Sequence, residues 1–591
     1  MNKYFNSAIV GNGKVLACLD DKAELIRLYY PNIDYYQNIH TYSLGFVFDG
    51  ENRVYWFKDA EKINQYYDGN VIYTKLKYNQ SNNNHFDTEI LIRDYILPDR
   101  NIMVRKVKFS EPLSLMVYSK LNSSPDKLVS GLCVQNSLIQ YSQEFYMTTF
   151  SMEKVVKSQV NNPRERLAFA DLNLEDYIGM SDESAVMYKL NIETTIYISL
   201  ENNLKDSFST IDYLKKQSEE ELYNKTKKYW REYLDWHLDY FIENNKYANK
   251  EIDIIERTIL MYALLTNKET GAVLASPDVD ENFTVCGRYG YCWPRDALFI
   301  NEAMSLLGMK DEVEKFYSIW ANKTQLPNGL FEQRYYSNGN LAPSWGVQID
   351  ETASMIIGIN KLPNKSDYKN IVEKATIGMI DFLDENFISK PCYDIWEERK
   401  DSHLYSTASI YYGLESARNI LKDDEKFNHL IYEIDILQPK ILGAIKSNFV
   451  ENDVLKRSKY NSNTDISILG AITPFNTFNA KDEIVLKSIS KLENDLKSNC
   501  GGFLRYKDDN YNGGNAWIIS SLWLALYYIE AGNMTRAQEL FDWVTNHCDD
   551  KGFLAEQIDK NTGKPAWIVG LSWSHALYII VGKKLHENKT A

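Results

Sequence analysis

The chain has 591 residues and a formal net charge of −15, from 66 lysines and arginines against 81 aspartates and glutamates. At about 100–200 residues per domain, a chain of this length is expected to fold as two to four domains. Hydrophobic residues make up 44% and charged residues 25%, a balance that excludes a largely disordered chain. The negative charge argues against nucleic acid as a partner, because phosphate binding needs clustered lysine and arginine.

No apolar stretch reaches the roughly 20 residues needed to cross a bilayer, and 516–529 is among the longest. Residues 1–20 lack the basic region and apolar run of a signal peptide, so we expect no membrane partner and a cytoplasmic location. The cysteines show no zinc-ligand spacing, and no HExxH motif is present. We therefore expect no metal and no cofactor, and reduced thiols at Cys18, Cys133, Cys286, Cys292, Cys392, Cys500 and Cys548.

Residues 1–205 contain short runs of tyrosine, valine, isoleucine and threonine, for example 52–57, 71–78 and 103–109, separated by asparagine, aspartate, glycine and proline. This pattern predicts an N-terminal β-sandwich. Between 206 and 247 the sequence becomes charged, with opposite charges four residues apart, as on the outer face of a helix. We therefore predict a helical linker over 206–247.

Residues 248–591 alternate between helices that are apolar nearly all round and helices with one apolar face. Apolar helices recur at about 50–60 residues, which is the length of two helices and two loops. This spacing predicts six inner and six outer helices in a closed (α/α)6 toroid. The inner helices are expected to begin near Arg295, Asp350, Leu404, Thr464, Asn515 and Ser572.

The loops that lead into the inner helices carry unusual residues. If the inner helices run parallel, these loops open on the same end of the toroid. Five of the six loops combine tryptophan or tyrosine with carboxylates or arginine, at 289–296, 344–351, 393–399, 505–512 and 554–575. Aromatic faces with a few polar anchors suit a sugar, whose rings have apolar faces and a hydroxylated rim. The pattern predicts a carbohydrate pocket.

Each of these residues also has a purely structural interpretation. Trp293 and Pro294 are typical of a helix start, and Asp350 is a typical N-cap. Arg399 and Arg505 are equally compatible with surface ion pairs. The repetition of the same chemistry in five loops favours a shared site, because packing alone gives no reason for that repetition.

Hydrolysis of a glycosidic bond needs one carboxylic acid to protonate the leaving oxygen and one carboxylate to attack or to activate water. Glu397 follows Trp396, whose ring excludes water, and lies near Asp394 and Glu398, whose charges oppose its ionisation. Both effects favour a protonated carboxyl, which suits a general acid. Glu556, in the last of these loops, is the candidate base.

Two of these motifs resemble glycoside hydrolase family 15, the glucoamylases and their relatives. They are the Tyr-Asp-Ile-Trp-Glu-Glu block at 393–398 and the Glu-Gln pair at 556–557 followed by Trp-Ser at 573–574. The similarity covers about residues 245–585, and bacterial and archaeal members place a β-sandwich before the toroid. The resemblance implies a multidomain β + α fold, with an N-terminal β-sandwich, a helical linker and a catalytic C-terminal (α/α)6 toroid over 248–591.

The resemblance also implies roles for individual residues. Glu397 corresponds to the general acid, Glu398 to a substrate-contacting carboxylate, and Glu556 to the base that activates water in an inverting attack. The remaining residues expected to bind substrate are Tyr289, Trp293, Arg295, Asp296, Trp345, Trp396, Arg505 and Trp573.

Residues and resemblance together predict an inverting, exo-acting α-glucosidase of glucoamylase type. It would release β-D-glucose from the non-reducing ends of α-1,4-linked malto-oligosaccharides. The alternatives are a trehalase or an isomaltose or dextran glucohydrolase on the same scaffold, and a non-catalytic glycan-binding or regulatory protein. The presence of both Glu397 and Glu556 argues against a non-catalytic protein. A phosphorylase is disfavoured because Glu556 would place like charge at the phosphate position.

Overall fold

The computed structural model describes residues 6–80, 86–122, 129–142, 144–168, 171–243, 245–279 and 288–590. The chain divides into two compact units, Met1–Trp236 with Ala263–Lys268, and His237–Tyr262 with Glu269–Ala591. This division into two units does not test the domain boundaries at residues 205 and 247, which stay predictions. Cys286 lies outside the described residues, and the six described cysteines are free thiols.

The first unit consists mainly of antiparallel strands. Their bounds are β1 (Ala8–Gly11), β2 (Leu16–Leu19), β3 (Leu25–Asn32), β4 (Tyr35–Gln37), β5 (Ile39–Val47), β6 (Tyr55–Trp56), β7 (Glu61–Asp68), β8 (Val71–Gln80), β9 (Phe86–Ile96), β10 (Ile102–Leu121), β11 (Ser130–Val134), β12 (Ser137–Ser142), β13 (Phe145–Phe150), β14 (Val155–Gln159), β15 (Ile178–Gly179), β16 (Glu183–Tyr188) and β17 (Asn191–Glu201).

The long strand β10 belongs to both layers of the unit. Its first half pairs with β9 and β17, and its second half pairs with β5 and β16. The register shifts between Lys108 and Leu113, where the strand passes from one layer to the other. Such an irregularity bends a strand, and here it allows one strand to serve two sheets.

The core of the first unit lies between the two layers. Leu44 and Phe46 of β5 come from one layer, and Ile92 of β9 and Ile198 of β17 come from the other, all within one buried cluster. Burial of each such side chain contributes about 1.5–3 kcal/mol. The predicted N-terminal β-sandwich is confirmed.

Three helices complete the N-terminal part, α1 (Pro163–Ala168), α2 (Leu204–Leu214) and α3 (Glu219–Ile242). Asn203 caps α2 by accepting a hydrogen bond from the Asp206 backbone N–H. Helices α2 and α3 occupy most of the segment that the sequence predicts as a helical linker.

The second unit is mainly helical, and α4 runs across the division between the units. The helices are α4 (Asn249–Leu265), α5 (Pro294–Leu306), α6 (Lys310–Lys315), α7 (Ala321–Thr324), α8 (Ile349–Asn360), α9 (Lys369–Asp381), α10 (Leu404–Leu421), α11 (Asn428–Asn448), α12 (Glu483–Leu496), α13 (Ile518–Ala531), α14 (Met534–Asn546) and α15 (Ser572–Thr590). Short strands lie between them, β18 (Cys392–Tyr393), β19 (Lys400–Asp401), β20 (Val450–Glu451), β21 (Val454–Leu455), β22 (Ala516–Trp517), β23 (Ala555–Ile558) and β24 (Pro565–Val569). Among the described helices, none is both long and apolar enough to cross a membrane.

The inner elements of the second unit close into a ring. Helix α5 packs against α8, α8 against α10, and α10 against the 3₁₀ helix Ile466–Ala471. That segment packs against α13, α13 against α15, and α15 returns to α5. On the outside, α9 and α11 pack against α10, and α14 packs against α13. The predicted (α/α)6 toroid is confirmed.

The fourth inner element differs from the sequence expectation, because it is a single 3₁₀ segment rather than an α-helix. Asp465 begins it by accepting a hydrogen bond from the Ser467 N–H. Pro474 follows soon after its end. Proline lacks an N–H and disfavours a helical conformation in the preceding residue, so the segment cannot extend into a longer helix.

The fifth inner helix begins later than its apolar sequence indicates. Ala516 and Trp517 form strand β22 against β23, so α13 starts at Ile518 rather than near Asn515. Gly532 ends the helix in the left-handed conformation at φ +84°, which glycine adopts without steric cost.

Close packing around the inner ring makes a stability prediction for Gly358 of α8. A Cβ at this position would lie 1.9 Å from the Tyr317 hydroxyl, whereas a Cβ at the exposed Gly443 of α11 would meet nothing within 4 Å. Gly358→Ala is expected to lower the free energy of unfolding by about 1–3 kcal/mol, because a filled core resists added volume.

Gly443→Ala is the matched control. It is expected to raise the free energy of unfolding by about 0.5–1 kcal/mol, because alanine favours a helix over glycine. Denaturant unfolding of both variants measures this difference. A Gly358→Ala protein as stable as the wild type would contradict the tight contact between α8 and Tyr317.

Candidate active site

The starts of the inner helices surround a cavity of about 310 Å³ in the second unit. The sequence predicts a shared site formed by five separate loops, and the structure brings residues from all five loops to this cavity. Its lining includes Tyr289, Trp293, Arg295, Asp296, Trp345, Trp396, Glu397, Glu398, Arg505, Glu556 and Trp573.

Trp293 serves both the helix start and the cavity. It is the N-cap residue of α5, with Pro294 in the first turn, so the structural interpretation of this pair is correct. The indole Nε1 also donates a hydrogen bond to Glu397 Oε1 at 2.8 Å. The two interpretations are therefore compatible, because the helix start fixes the ring that meets the glutamate.

Arg295 carries a buried charge that links the first two inner helices. Its guanidinium lies 3.0 Å from both Asp350 and Glu351 of α8, and 3.5 Å from Glu397. Although burial opposes the charge, these carboxylates raise the pKa of Arg295 above its ordinary value. Asp350 is therefore an ion-pair partner and not an N-cap, since Gln348 occupies the N-cap position of α8.

Glu397 sits in a turn that an acidic neighbour holds in place. Its φ of +63° is in the left-handed region, which costs a non-glycine residue about 1–3 kcal/mol. Asp394 supports the turn: its carbonyl accepts from Glu397 N–H at 2.9 Å, and its carboxylate accepts from the N–H groups of Glu398 and Arg399. Arg457 pairs with the same carboxylate at 3.1 Å.

Glu398 is fixed by cationic and phenolic donors. Its two oxygens accept from Arg505 at 2.8 Å and from the Tyr506 hydroxyl at 2.6 Å. Arg505 also donates to both oxygens of Asp509, and only 3% of it is exposed. Arg505 is therefore a buried residue of the cavity wall, and the surface ion-pair interpretation is wrong for it.

Arg399 is the more exposed member of the same charge cluster. Its guanidinium lies 3.3 Å from Glu398 and 3.5 Å from Asp394. The interpretation of Arg399 as an ion-pair residue near the surface is consistent with these contacts.

Glu556 lies on β23 and is buried. Its Oε1 accepts from the Tyr289 hydroxyl at 2.8 Å, and its Oε2 accepts from Gln557 Nε2 at 3.0 Å. Burial raises the pKa of Glu556 to about 7, although these two hydrogen bonds oppose the shift. Burial likewise raises the pKa of Asp296 to about 7, where the charge of Arg295 opposes it. Two carboxyl groups of the cavity therefore titrate near neutrality.

His575 holds the loop that precedes Glu556 and is not among the residues that line the cavity. Its Nε2 accepts from the Leu554 N–H at 2.9 Å, and its Nδ1 lies 2.7 Å from the Thr258 hydroxyl. Burial lowers the pKa of His575 to about 3, so the imidazole is neutral. These contacts make it a structural histidine.

The sequence did not predict several of the residues that line the cavity. Arg334 lies in a loop away from any inner helix start, and Trp517 falls inside a run that the sequence assigns to a helix. Tyr511 lies in the aromatic loop at 505–512, and its place in that loop is the sequence feature that could have identified it. Arg288 precedes the first loop directly.

A family comparison identifies the helical unit. The model for glycosyl hydrolases family 15 matches residues 249–583, more than half of the chain and nearly all of the toroid. The chain belongs to glycosyl hydrolases family 15. The resemblance read from the motifs is confirmed, and the protein is a glycoside hydrolase.

The family 15 hydrolase is similar to proteins of several organisms. An uncharacterized glycosyl hydrolase of Methanocaldococcus jannaschii is 26% identical over 599 residues, which cover 92% of this chain and 93% of that one. Trehalase 1 of Sulfolobus acidocaldarius is 24% identical over 288 residues, or 43% of this chain and 49% of that protein. The isomaltose glucohydrolase of Kribbella flavida is 23% identical over 321 residues, or 49% and 80%.

A solved bacterial glucoamylase, complexed with acarbose, shares the fold of the family 15 hydrolase with a TM-score of 0.79. The match covers 98% of this chain and 94% of the glucoamylase at 19% identity. The glucoamylase-type order of a sheet domain before a helical domain is therefore present throughout the chain.

The turn around Glu397 yields a prediction for the family 15 hydrolase. Asp394→Ala removes the acceptor for two backbone N–H groups, so Glu397 is expected to leave its left-handed conformation and kcat is expected to fall by at least about tenfold. Asp394→Asn is the control, because its side-chain oxygen still accepts those hydrogen bonds while the ion pair with Arg457 is lost. The rate of glycoside hydrolysis measures both; equal kcat values for the two variants would contradict the role of the turn.

Proposed function

We propose that this family 15 hydrolase is an inverting, exo-acting α-glucosidase of glucoamylase type. Its substrates are α-1,4-linked malto-oligosaccharides, from whose non-reducing ends it releases β-D-glucose. The observation that carries the proposal is the convergence of Glu397 and Glu556, held by different partners, on one aromatic cavity.

Glu397 is proposed as the general acid. Trp293 donates to its Oε1, which leaves Oε2 to carry a proton towards the glycosidic oxygen. The side chain is 18% exposed and therefore reaches the space where a substrate binds. Protonation of the leaving oxygen assists cleavage of its bond to the anomeric carbon.

Glu556 is proposed as the general base. A pKa near 7 suits a base at neutral pH, because the carboxylate is then available and still basic enough to take a proton from water. The Tyr289 and Gln557 hydrogen bonds fix the orientation of both oxygens. Attack by the activated water on the face opposite the leaving group inverts the anomeric carbon.

The polar wall beside Trp293 is proposed to bind the terminal glucose. Arg295 and Asp296 are both buried and offer one donor group and one acceptor group for sugar hydroxyls. Trp396 and Trp573 add aromatic surface for the ring faces. A cavity of about 310 Å³ accommodates a chain end, which favours exo action over cleavage within a long polymer.

Hydrolysis of trehalose or isomaltose is the second candidate function. It is favoured by the similarity to a trehalase and to an isomaltose glucohydrolase. The same acid and base serve these substrates, so only the fit of the leaving sugar distinguishes them. The cytoplasmic location expected from the sequence stays a prediction.

A sugar panel with product stereochemistry tests the proposal. Maltose, maltotriose, isomaltose, trehalose and dextran are incubated with the protein, and maltotriose is expected to release glucose fastest. Proton NMR in the first minutes is expected to show β-glucose, because water attacks from the far face. Glu397→Gln is expected to lower kcat by at least about 10²-fold. An initial α-anomer would contradict the inverting mechanism, and cleavage of trehalose alone would favour the second candidate.

The raised pKa of Glu556 predicts the pH dependence. Activity requires the ionised base, so kcat/KM is expected to show an acidic limb on which it falls as the pH drops through about 7, while the need for a protonated acid sets a separate alkaline limb. Tyr289→Phe removes a hydrogen bond that favours the ionised form, so this acidic limb is expected to move to higher pH. A limb that stays at the wild-type pH in Tyr289→Phe would assign it to another group, such as Asp296.

A further inference from the structure

Arg334 is a cavity arginine that the proposed reaction does not use. Its guanidinium lies over three aromatic rings, 4.8 Å from the centroid of Tyr291, 5.4 Å from Trp293 and 4.6 Å from Trp345. Its Nε donates to the Pro343 carbonyl at 2.7 Å, which fixes the plane of the guanidinium. Only 6% of Arg334 is exposed, and it lines the cavity.

The surroundings of Arg334 differ from those of the other two buried arginines of the cavity. Arg295 and Arg505 each lie within 3.0 Å of two carboxylates. Arg334 forms no ion pair with any carboxylate in the described part of the chain, and neither of its terminal nitrogens donates a hydrogen bond there. Burial lowers the pKa of Arg334, and the charge of Glu397 opposes this shift. A desolvated cation without an anion is costly, and aromatic faces offset only part of that cost.

A second cation lies on the same wall. The Arg288 guanidinium stacks 5.1 Å from the centroid of Tyr291, the ring that also contacts Arg334. Both arginines line the cavity. Two guanidinium groups therefore contact one tyrosine ring in the cavity wall of a protein whose net charge is −15.

In the proposed mechanism, the wall of Arg334 lies on the leaving-group side of the cavity. Trp345, which stacks on Arg334, is 48% exposed and therefore marks the opening to solvent. Its Nε1 donates to the Glu397 carbonyl at 3.3 Å. A general acid faces the leaving oxygen, and the base lies across the sugar ring from it. Arg334 is thus near the acid and near the opening.

We propose that Arg334, together with Arg288, forms an anion-binding subsite for the leaving-group sugar. The preferred substrates are then α-glucosides whose leaving sugar carries a phosphate monoester or a carboxylate. Guanidinium binds such oxyanions through two parallel hydrogen bonds, which a neutral hydroxyl cannot match. The proposal rests on the proposed function, from which it takes the reaction and the position of the acid. The anion takes no part in bond changes: water adds to the anomeric carbon, and the leaving oxygen receives its proton from Glu397.

Matched substrates test this subsite in the wild-type protein. Maltobionate and maltitol differ only in a carboxylate against a hydroxymethyl group on the leaving sugar. Maltose phosphorylated on O6 of its reducing-end glucose is compared with maltose in the same way. The anionic member of at least one pair is expected to have a kcat/KM at least about tenfold higher, and added salt is expected to reduce the difference. The pair that shows the preference identifies the anion.

The position of the charge provides a control. Maltose phosphorylated on O6 of its non-reducing glucose carries the same charge on the sugar that binds beside Asp296 and Glu556. It is expected to be hydrolysed no faster than maltose. Equal kcat/KM values within both matched pairs would overturn the subsite. Absence of glucose release from every sugar would instead contradict the proposed function.

Variants of Arg334 test the residue itself. The ratio of kcat/KM between anionic and neutral substrates is expected to fall at least about tenfold in Arg334→Gln and to be partly retained in Arg334→Lys, because lysine keeps the charge but loses the paired donors. The ratio cancels any general loss of activity. An unchanged ratio in Arg334→Gln would overturn the assignment.

A binding measurement avoids substitution of Arg334 altogether. Glu397→Gln keeps the whole wall and is expected to hydrolyse its ligands slowly enough for calorimetry. Its Kd for the preferred anionic disaccharide is expected to be at least about tenfold lower than for the neutral partner. Equal Kd values would overturn the proposal even if the Arg334 variants fail to fold.

Discussion

The buried charge of Arg295 is the constraint around which the site is organised. Carboxylates at close range offset the cost of burying the Arg295 guanidinium, and Asp350 and Glu351 of α8 supply them. These contacts fix the start of α5 against the start of α8 and bring the arginine within 3.5 Å of Glu397. Removal of Arg295 or of its carboxylate partners would leave an unpaired charge in the core. The packing of the inner ring and the geometry of the cavity therefore depend on the same ion pairs.

The two central carboxyl groups acquire different properties from different surroundings. Glu397 lies in a left-handed turn between an indole N–H and a guanidinium and retains some exposure. Glu556 is buried on a strand, where a tyrosine and a glutamine each bind one of its oxygens. The same residue type is therefore partly solvated on one side of the cavity and desolvated on the other.

Arginines on aromatic faces form the rest of the cavity wall. The guanidinium of Arg505 lies 5.3 Å from the ring centroid of Trp396 and 4.5 Å from that of Trp517, and Arg334 lies over a separate aromatic group. The two arginines differ in their ion pairs. Carboxylates neutralise Arg505, whereas Arg334 has no carboxylate partner among the described residues and lines the cavity. The wall that contains Arg505 is therefore held by ion pairs, whereas the wall that contains Arg334 keeps a charged group available for a ligand.

The sequence alone determined the two-part fold and most of the lining of the cavity. Alternating apolar runs report local burial, and the regular spacing of the inner helices indicates which loops share one end, so the sequence predicts one shared site for residues from 289 to 573, which line one cavity in the structure. Tertiary structure decided the rest: Arg295 meets α8 across 55 residues of sequence, Trp517 joins a strand despite its apolar surroundings, and Arg334 reaches the cavity from a loop outside the repeat. Partners distant in the chain leave no local periodicity, so the charge, orientation and accessibility of these side chains exist only in the folded molecule.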